Sequence, residues 1–303
     1  MAPPTDAVRV EVTDGRAAQV GSLPVRRALP TRRRRTVGAW CFVDHMGPHS
    51  FAAEGGVSVP PHPHLGLQTV TWLFDGAVLH RDSLGSEQLI RPGQLNLMTA
   101  GAGIAHSEED PDEGGQRIHG MQLWVAQPDH TRWDEPAFEH HAELPRADLG
   151  TGTATVLVGA FGGTSSPARR DTDHVGVQLD LRPGTTVLPL EPAYEHALIV
   201  AEGSAVVADG TAGGVTVVPG SLAYVAVGAE ELVLRSSMRT VALLVGGVPF
   251  DDEIAMWWNF VARSREELSD AYRGWAAGDD RFGRVPSALE RVAVAPPPWL
   301  RTA

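Results

Sequence analysis

The sequence predicts an all-β protein built from two β-barrels in tandem, with a short helix near the C-terminus. Two observations support this prediction. Glycine and proline number 33 and 23 of the 303 residues, and these residue types separate short strands more often than they interrupt long helices. An internal repeat also places the same turn residues in both halves of the chain.

Nine short apolar runs have the length and composition of β-strands. They cover residues 69–74, 95–98, 121–125, 197–201, 205–208, 215–218, 222–227, 232–234 and 241–245. Many short strands separated by turns are typical of β-sandwiches and barrels.

The internal repeat indicates two copies of one barrel. Gly76 follows a strand and an acidic residue, and Pro92 begins a Pro-Gly turn sixteen positions later. Gly203 and Pro219 repeat this arrangement at an offset of 127 residues. A repeat at a fixed offset predicts two similar structural units.

The predicted domains are residues 1–146 and residues 147–303, and the second ends in a helix. Ser264 followed by Glu267 forms a capping box, which marks the start of a helix. The residues that would then share one helical face are Leu268, Ala271, Tyr272 and Trp275.

Composition narrows the function classes. The formal net charge of −12 disfavours binding to the phosphate backbone of a nucleic acid. No apolar run approaches the roughly 18 residues that a membrane span needs. The single cysteine, Cys41, cannot form an internal disulfide, which favours the cytoplasm. Two barrels can cover each other's faces, so we expect a monomer.

Two short pairs carry metal-binding chemistry. His62 and His64 are separated by one residue, so both imidazoles share one face of a strand. His106 and Glu108 repeat this spacing with a carboxylate. Three nitrogen donors and one oxygen donor suit Fe(II), Ni, Cu, Mn or Zn, with positions left for water or substrate. Either pair alone is a weak signal, because His141 and Glu143 have the same spacing, which we interpret as coincidence.

The segments around these pairs resemble the pirin family over about residues 20 to 285. The matching segments are HPHLGLQTVTWLFDG (62–76), PGQLNLMTAGAGIAHSEE (92–109), VGAWCFVDHMGP (37–48), GMQLWV (120–125) and MWWNFVARSREEL (256–268). The resemblance implies a bicupin, with two cupin barrels and one divalent transition metal in the N-terminal barrel. The implied metal is Fe(II) first, with Ni, Cu, Mn, Zn or Co as alternatives. The implied ligands are His62, His64, His106 and Glu108.

The internal repeat bears on the number of metal sites, and two residues of this chain differ from the family pattern. The ligands shifted by 127 residues fall on Pro189, Glu191, Val233 and Arg235, which is no ligand set and leaves one metal per chain. Family members usually read HPHRGFETV, whereas this chain has Leu65 and Gln68. If Gln68 faces the metal, the lost carboxylate makes the metal more electrophilic.

Three functions of different classes are open, of which the resemblance implies the first two and the ligand set alone allows the third. In the first, the chain is a quercetin 2,3-dioxygenase that cleaves flavonols with O₂. Glu108 would then act as catalytic base on the flavonol hydroxyl, and motif position suggests apolar walls from Phe42, Met98 and Trp124. In the second, the chain is a redox-sensitive regulator that binds a transcription factor or a metabolic enzyme. In the third, the metal only stabilises the barrel.

Overall fold

The computed structural model describes residues 10–21, 23–51, 56–111, 117–208 and 213–300. Its secondary structure is mostly β, with one short α-helix near the C-terminus. The predicted all-β fold of two cupin barrels is confirmed. Among the residues described, no helix combines the length and the apolar character that a membrane crossing requires.

The described residues between Val10 and His141 form twelve strands. They are β1 (Val10–Asp14), β2 (Arg16–Val20), β3 (Leu23–Leu29), β4 (Trp40–Ser50), β5 (Ser58–His64), β6 (Leu67–Gly76), β7 (Val78–Asp82), β8 (Glu87–Ile90), β9 (Leu95–Thr99), β10 (Ile104–Glu109), β11 (Arg117–Ala126) and β12 (Ala137–His141).

Fourteen further strands and the helix follow in the part of the chain that the structure covers. They are β13 (Arg146–Asp148), β14 (Gly152–Val158), β15 (Ala160–Phe161), β16 (Thr164–Ser165), β17 (His174–Leu181), β18 (Gly184–Pro189), β19 (Glu195–Glu202), β20 (Ala205–Val207), β21 (Val215–Val217), β22 (Ser221–Val225), β23 (Glu231–Ser236), β24 (Thr240–Gly247), β25 (Ala255–Trp257), β26 (Phe260–Ala262) and α1 (Arg265–Ala277). Each of the nine runs predicted as strands falls on one of these strands.

The chain forms two compact units, each made of several segments. Barrel A contains the described residues of Gln19–Val25, Met46–Ala142 and Asp251–Ala303. Barrel B contains those of Met1–Ala18, Arg26–His45 and Glu143–Phe250. The domains predicted from the sequence, residues 1–146 and 147–303, are contiguous, whereas each of these units combines three separate segments of the chain. The cause is strand pairing: β1 pairs with β22 of barrel B, and α1 packs on β25 and β26 of barrel A.

Barrel B is filled with hydrocarbon. Its strands form a seven-stranded sheet in the order β1-β22-β19-β24-β17-β14-β13 and a four-stranded sheet in the order β18-β23-β20-β21. Leu198 and Leu244 from the first sheet and Leu232 from the second belong to one buried cluster. Burial of such a side chain contributes roughly 1.5–3 kcal/mol to folding, so this interior stabilises the barrel through packing.

The strand that carries His62 and His64 lies at the edge of a sheet in barrel A. One of its sheets has the order β5-β10-β7-β8, and the strands β12-β9-β6-β11 are neighbours in another. β5 contains Pro60, Pro61 and Pro63, which cannot donate ladder hydrogen bonds and are therefore confined to edges. In this order β5 stands at the end of the sheet, so His62 and His64 lie on an edge strand.

The C-terminal segment packs on barrel A beside the histidine strand. Val261 donates a backbone hydrogen bond of 3.0 Å to the Leu65 carbonyl. α1 begins at the predicted cap, where the amide of Glu267 donates to Ser264 Oγ at 3.2 Å. The helix then buries Leu268, Ala271 and Trp275 in a cluster that also contains Leu65, Ala105 and Phe260. Tyr272, predicted on the same face, is half-buried.

We expect Trp40→Phe to destabilise barrel B by about 2–3 kcal/mol. The Trp40 indole is fully buried, and its Nε1 donates to the carbonyls of Val175 at 3.1 Å and Gly246 at 3.2 Å. Guanidinium unfolding measures the loss. Trp133→Phe is the control, because Trp133 is 46% exposed. Equal losses in the two variants would contradict the expectation.

Candidate metal centre

Strand pairing brings three histidines together. β5 carries His62 and His64 on one face, and β10 pairs antiparallel with β5 so that His106 lies opposite His62. One ring nitrogen from each histidine lies within 4.8 Å of the other two. Among the described residues, this is the one such group of histidine, cysteine or carboxylate ligands. The structure thus brings together three of the four ligands implied by the resemblance.

The outer nitrogens of two of these rings have backbone partners. His62 Nδ1 lies 2.8 Å from the Pro60 carbonyl oxygen, and His64 Nδ1 lies 3.2 Å from the Asn259 carbonyl oxygen. A carbonyl oxygen only accepts hydrogen bonds, so each Nδ1 carries the proton and donates it. In the neutral ring Nε2 is then unprotonated, which is the form that binds a metal.

Burial keeps the three rings neutral at pH 7. It lowers the pKa of His62 to about 4. The pKa of His64 and that of His106 lie well below the ordinary value, because burial removes water and the neighbouring imidazoles disfavour a second positive charge. His64 Nε2 lies 3.1 Å from His106 Nε2. Either one shared proton or one cation can hold two imidazole nitrogens this close, and the same donors fit a divalent transition metal.

Glu108 lies two residues beyond His106 on β10 and is not part of the group of three. Its Oε1 accepts a hydrogen bond of 3.2 Å from Thr71 Oγ1. Burial raises the pKa of Glu108, and the Thr71 hydrogen bond acts against that rise. The carboxyl group is therefore poised to exchange a proton nearer neutral pH than an exposed glutamate.

The two residues that differ from the family pattern are both buried. Leu65 is 1% exposed and packs in the cluster with Phe260 and α1. Gln68 is also 1% exposed, and its Nε2 donates to Thr99 Oγ1 at 3.0 Å. The side chain of Gln68 is therefore held by β9.

Of the remaining predicted residues, Trp124, Met98 and His141 belong to barrel A and Phe42 belongs to barrel B. The Trp124 ring meets the His64 ring edge-on at 5.2 Å, and Met98 is buried on β9 of the same barrel. Phe42 belongs to barrel B, where the Arg27 guanidinium lies over its ring. His141 bonds to Glu139 at 3.0 Å and is outside the histidine group, as expected for a coincidental spacing.

Two further residues at this centre, His80 and Asp82, were not predicted from the sequence. His80 Nδ1 lies 3.3 Å from His106 Nδ1, and His80 Nε2 lies 3.2 Å from Asp82 Oδ2. The pair has the histidine-x-carboxylate spacing already used for His106 and Glu108, which was the available signal. The pairing of β7 with β10, which brings the two pairs together, is not visible in the sequence.

Two family models match the chain. The model described as Pirin matches residues 22–125, and the model described as Pirin C-terminal cupin domain matches residues 176–283. The first match contains the three histidines, and the second lies mostly in barrel B.

Similar proteins extend over nearly the whole chain. A Pseudomonas aeruginosa protein provisionally named quercetin 2,3-dioxygenase is 47% identical over 94% of this chain and 89% of its own length. A pirin-like protein of Caulobacter vibrioides is 39% identical over 88% of this chain and 93% of its own. A crystal structure titled quercetin 2,3-dioxygenase from Acinetobacter baumannii superposes with a TM-score of 0.89 at 41% identity, over 95% of this chain and 96% of that one.

We expect the purified protein to hold about one metal equivalent per chain by elemental mass spectrometry, and His106→Ala with Glu108→Ala to hold none. Barrel B supplies none of the three histidines and should stay folded in the double variant. His106→Ala and Glu108→Gln, measured singly, separate the contributions of the two residues, and His141→Ala is the control. A full equivalent in the double variant would disprove the ligand assignment.

We also expect acid to destabilise the metal-free protein between pH 6.5 and about pH 4. His62 has a pKa of about 4 when folded and an ordinary value of 6.5. As pH falls through this window the unfolded chain gains a proton before the folded one, so stability is complete above pH 6.5 and is lost toward pH 4. The loss is roughly 3 kcal/mol for this group.

Urea unfolding with a chelator at several pH values measures this dependence. His62→Gln should reduce the slope, because glutamine does not titrate. His174 in barrel B has a similar pKa of about 4 when folded and provides a residual slope in both proteins. An unchanged slope in His62→Gln would contradict the expectation.

Proposed function

The chain belongs to the pirin family of the cupin superfamily, and we propose that it is a metal-dependent dioxygenase that cleaves flavonols of the quercetin type with O₂. The observation that carries the proposal is the convergence of three neutral imidazoles in barrel A. The names of the Pseudomonas and Acinetobacter proteins support the choice of substrate class.

His62, His64 and His106 would hold the metal through Nε2, with Glu108 as a further ligand when its carboxylate turns toward them. Fe(II) is our first choice, and Ni, Cu, Mn, Zn and Co suit the same donors. When bound, the metal supplies Lewis acidity that favours the flavonolate anion and access to O₂ chemistry. A set of three or four protein ligands leaves coordination positions for substrate.

Glu108 is the proposed catalytic base. Its raised pKa matches a group that takes the proton of the flavonol hydroxyl near neutral pH. Thr71 Oγ1 lies 3.2 Å from Glu108 Oε1 and 3.0 Å from Gln122 Oε1, so its single proton can move to Gln122 when the carboxylate turns toward the histidines. Addition of O₂ to the flavonolate and ring opening then give a depside and carbon monoxide, so both oxygen atoms are retained in the products.

Apolar side chains would hold the flat substrate. Trp124 lies against His64 and offers an aromatic wall, and Met98 offers an adaptable one. Pockets of this kind bind aromatic ligands through burial, and a small number of polar groups fix the orientation.

We expect the metal-loaded protein to bleach the flavonol absorption band in air and to release carbon monoxide. Glu108→Gln should lower kcat by about 10²–10⁴-fold, the usual contribution of a general base. Its metal content, measured in the same sample, shows whether the loss is of base or of metal. His141→Ala is the control.

Fully metal-loaded protein that bleaches no faster than the metal-free protein would disprove the dioxygenase. Redox-dependent co-purification of one defined protein would then support the regulatory alternative. Loss of fold on chelation, without either effect, would support a structural metal.

A further inference from the structure

Three side chains in hydrogen-bond contact lead outward from the histidine group, from His106 to His80 and from His80 to Asp82. We propose that Asp82 and His80 are positioning residues that fix the proton of His106 on Nδ1 and thereby direct its Nε2 lone pair toward the metal. The inference rests on the metal-binding part of the proposed function and adds two residues to it.

Asp82 is the fixed end of the chain. It is fully buried, and its Oδ1 accepts hydrogen bonds from the amides of Leu84 at 2.9 Å and Ser86 at 3.0 Å. Burial alone would raise the pKa of Asp82, but the hydrogen bonds from His80 and Ser86 outweigh burial and lower it. An ionised carboxylate only accepts hydrogen bonds, so Asp82 Oδ2 requires a donor.

His80 supplies that donor through Nε2, at 3.2 Å from Asp82 Oδ2. In the proposed arrangement this is the one proton on the His80 ring, so its Nδ1 is left as an acceptor. Phe138 stacks on the His80 ring with centroids 4.4 Å apart and planes 14° apart, which restricts rotation of the ring. Asp82 therefore sets the direction of hydrogen-bond donation, which runs from His106 to His80 and from His80 to Asp82.

The tautomer of His106 follows from that of His80. Its Nδ1 lies 3.3 Å from His80 Nδ1, and only one of two facing nitrogens can hold the proton. Because His80 Nδ1 is the acceptor, His106 Nδ1 is the donor. His106 Nε2 is then unprotonated and lies 3.1 Å from His64 Nε2.

The need for Asp82 follows from a difference among the three ligands. His62 and His64 donate from Nδ1 to backbone carbonyls, which can only accept. The partner of His106 is another imidazole, which can donate or accept. Without a fixed carboxylate behind it, His80 would stabilise either tautomer of His106, including the one that cannot bind metal.

Asp82→Asn tests this inference because it should reverse the direction of hydrogen-bond donation from Asp82 to His106. The carbonyl of the asparagine can keep the bonds from Leu84 and Ser86, while its amide donates to His80 Nε2. His80 Nδ1 then carries the proton, and His106 is protonated at Nε2. We expect long-range ¹H–¹⁵N spectra of metal-free, ¹⁵N-histidine protein to show Nδ1–H on His106 in the wild type and Nε2–H in Asp82→Asn.

The same variants are titrated with Zn(II) against a competing chelator. We expect Asp82→Asn to weaken Zn(II) binding by about 10–100-fold, as loss of an outer partner does at other metal sites. His80→Phe keeps an aromatic ring against Phe138 and should also weaken binding by about tenfold or more. His119→Phe is the control, because His119 is likewise buried and contacts an aromatic ring, that of Phe74.

The outcomes separate this inference from the proposed function. Nε2–H on His106 in the wild-type spectra overturns the inference, even if Asp82→Asn does not fold. A folded Asp82→Asn with unchanged tautomer and unchanged Zn(II) affinity also overturns it. Wild-type protein that binds no Zn(II), Fe(II) or Ni(II) overturns the metal-binding premise of the proposed function itself.

Discussion

The close approach of three buried imidazoles is the constraint around which the histidine site of barrel A is organised. His64 Nε2 and His106 Nε2 are only 3.1 Å apart, in surroundings that disfavour protonation of either ring. Backbone carbonyls and a buried side-chain pair hold the far sides of the rings. Packing and hydrogen bonds therefore maintain an arrangement of three nitrogen donors that could hold a metal ion.

The C-terminal segment is part of this arrangement. β25 and β26 pair with Trp257 opposite Phe260, so Trp258 and Asn259 form the two-residue turn between them. Trp258 has a φ of 54° and is the one non-glycine residue with positive φ in the described part of the chain. Such a conformation is costly for a bulky residue. The turn presents the Asn259 carbonyl to His64 Nδ1, so local strain accompanies a contact at the metal centre.

Much of barrel A could be read from the sequence because its signals are local. The apolar runs, the Ser264 cap and the proline-rich edge strand depend on neighbouring residues, and the structure contains all three. The role of His80 depends on which strand β10 pairs with, and the pairing of β7 with β10 joins residues about 26 positions apart. The placement of α1 on barrel A depends on packing with Leu65, across an even longer separation. Non-local pairing leaves no periodic trace in the sequence.

The division of barrel A among separate segments has a consequence for how the protein is made. A ribosome adds roughly 5–20 residues per second, so the 108 residues of Glu143–Phe250 separate the histidine strands from the segment carrying Asn259 by at least several seconds. During that interval His64 lacks its backbone acceptor, and Leu65 and Ala105 lack the cover of Phe260 and α1. The three histidines therefore acquire their full set of contacts only after the segment carrying Asn259 has been made.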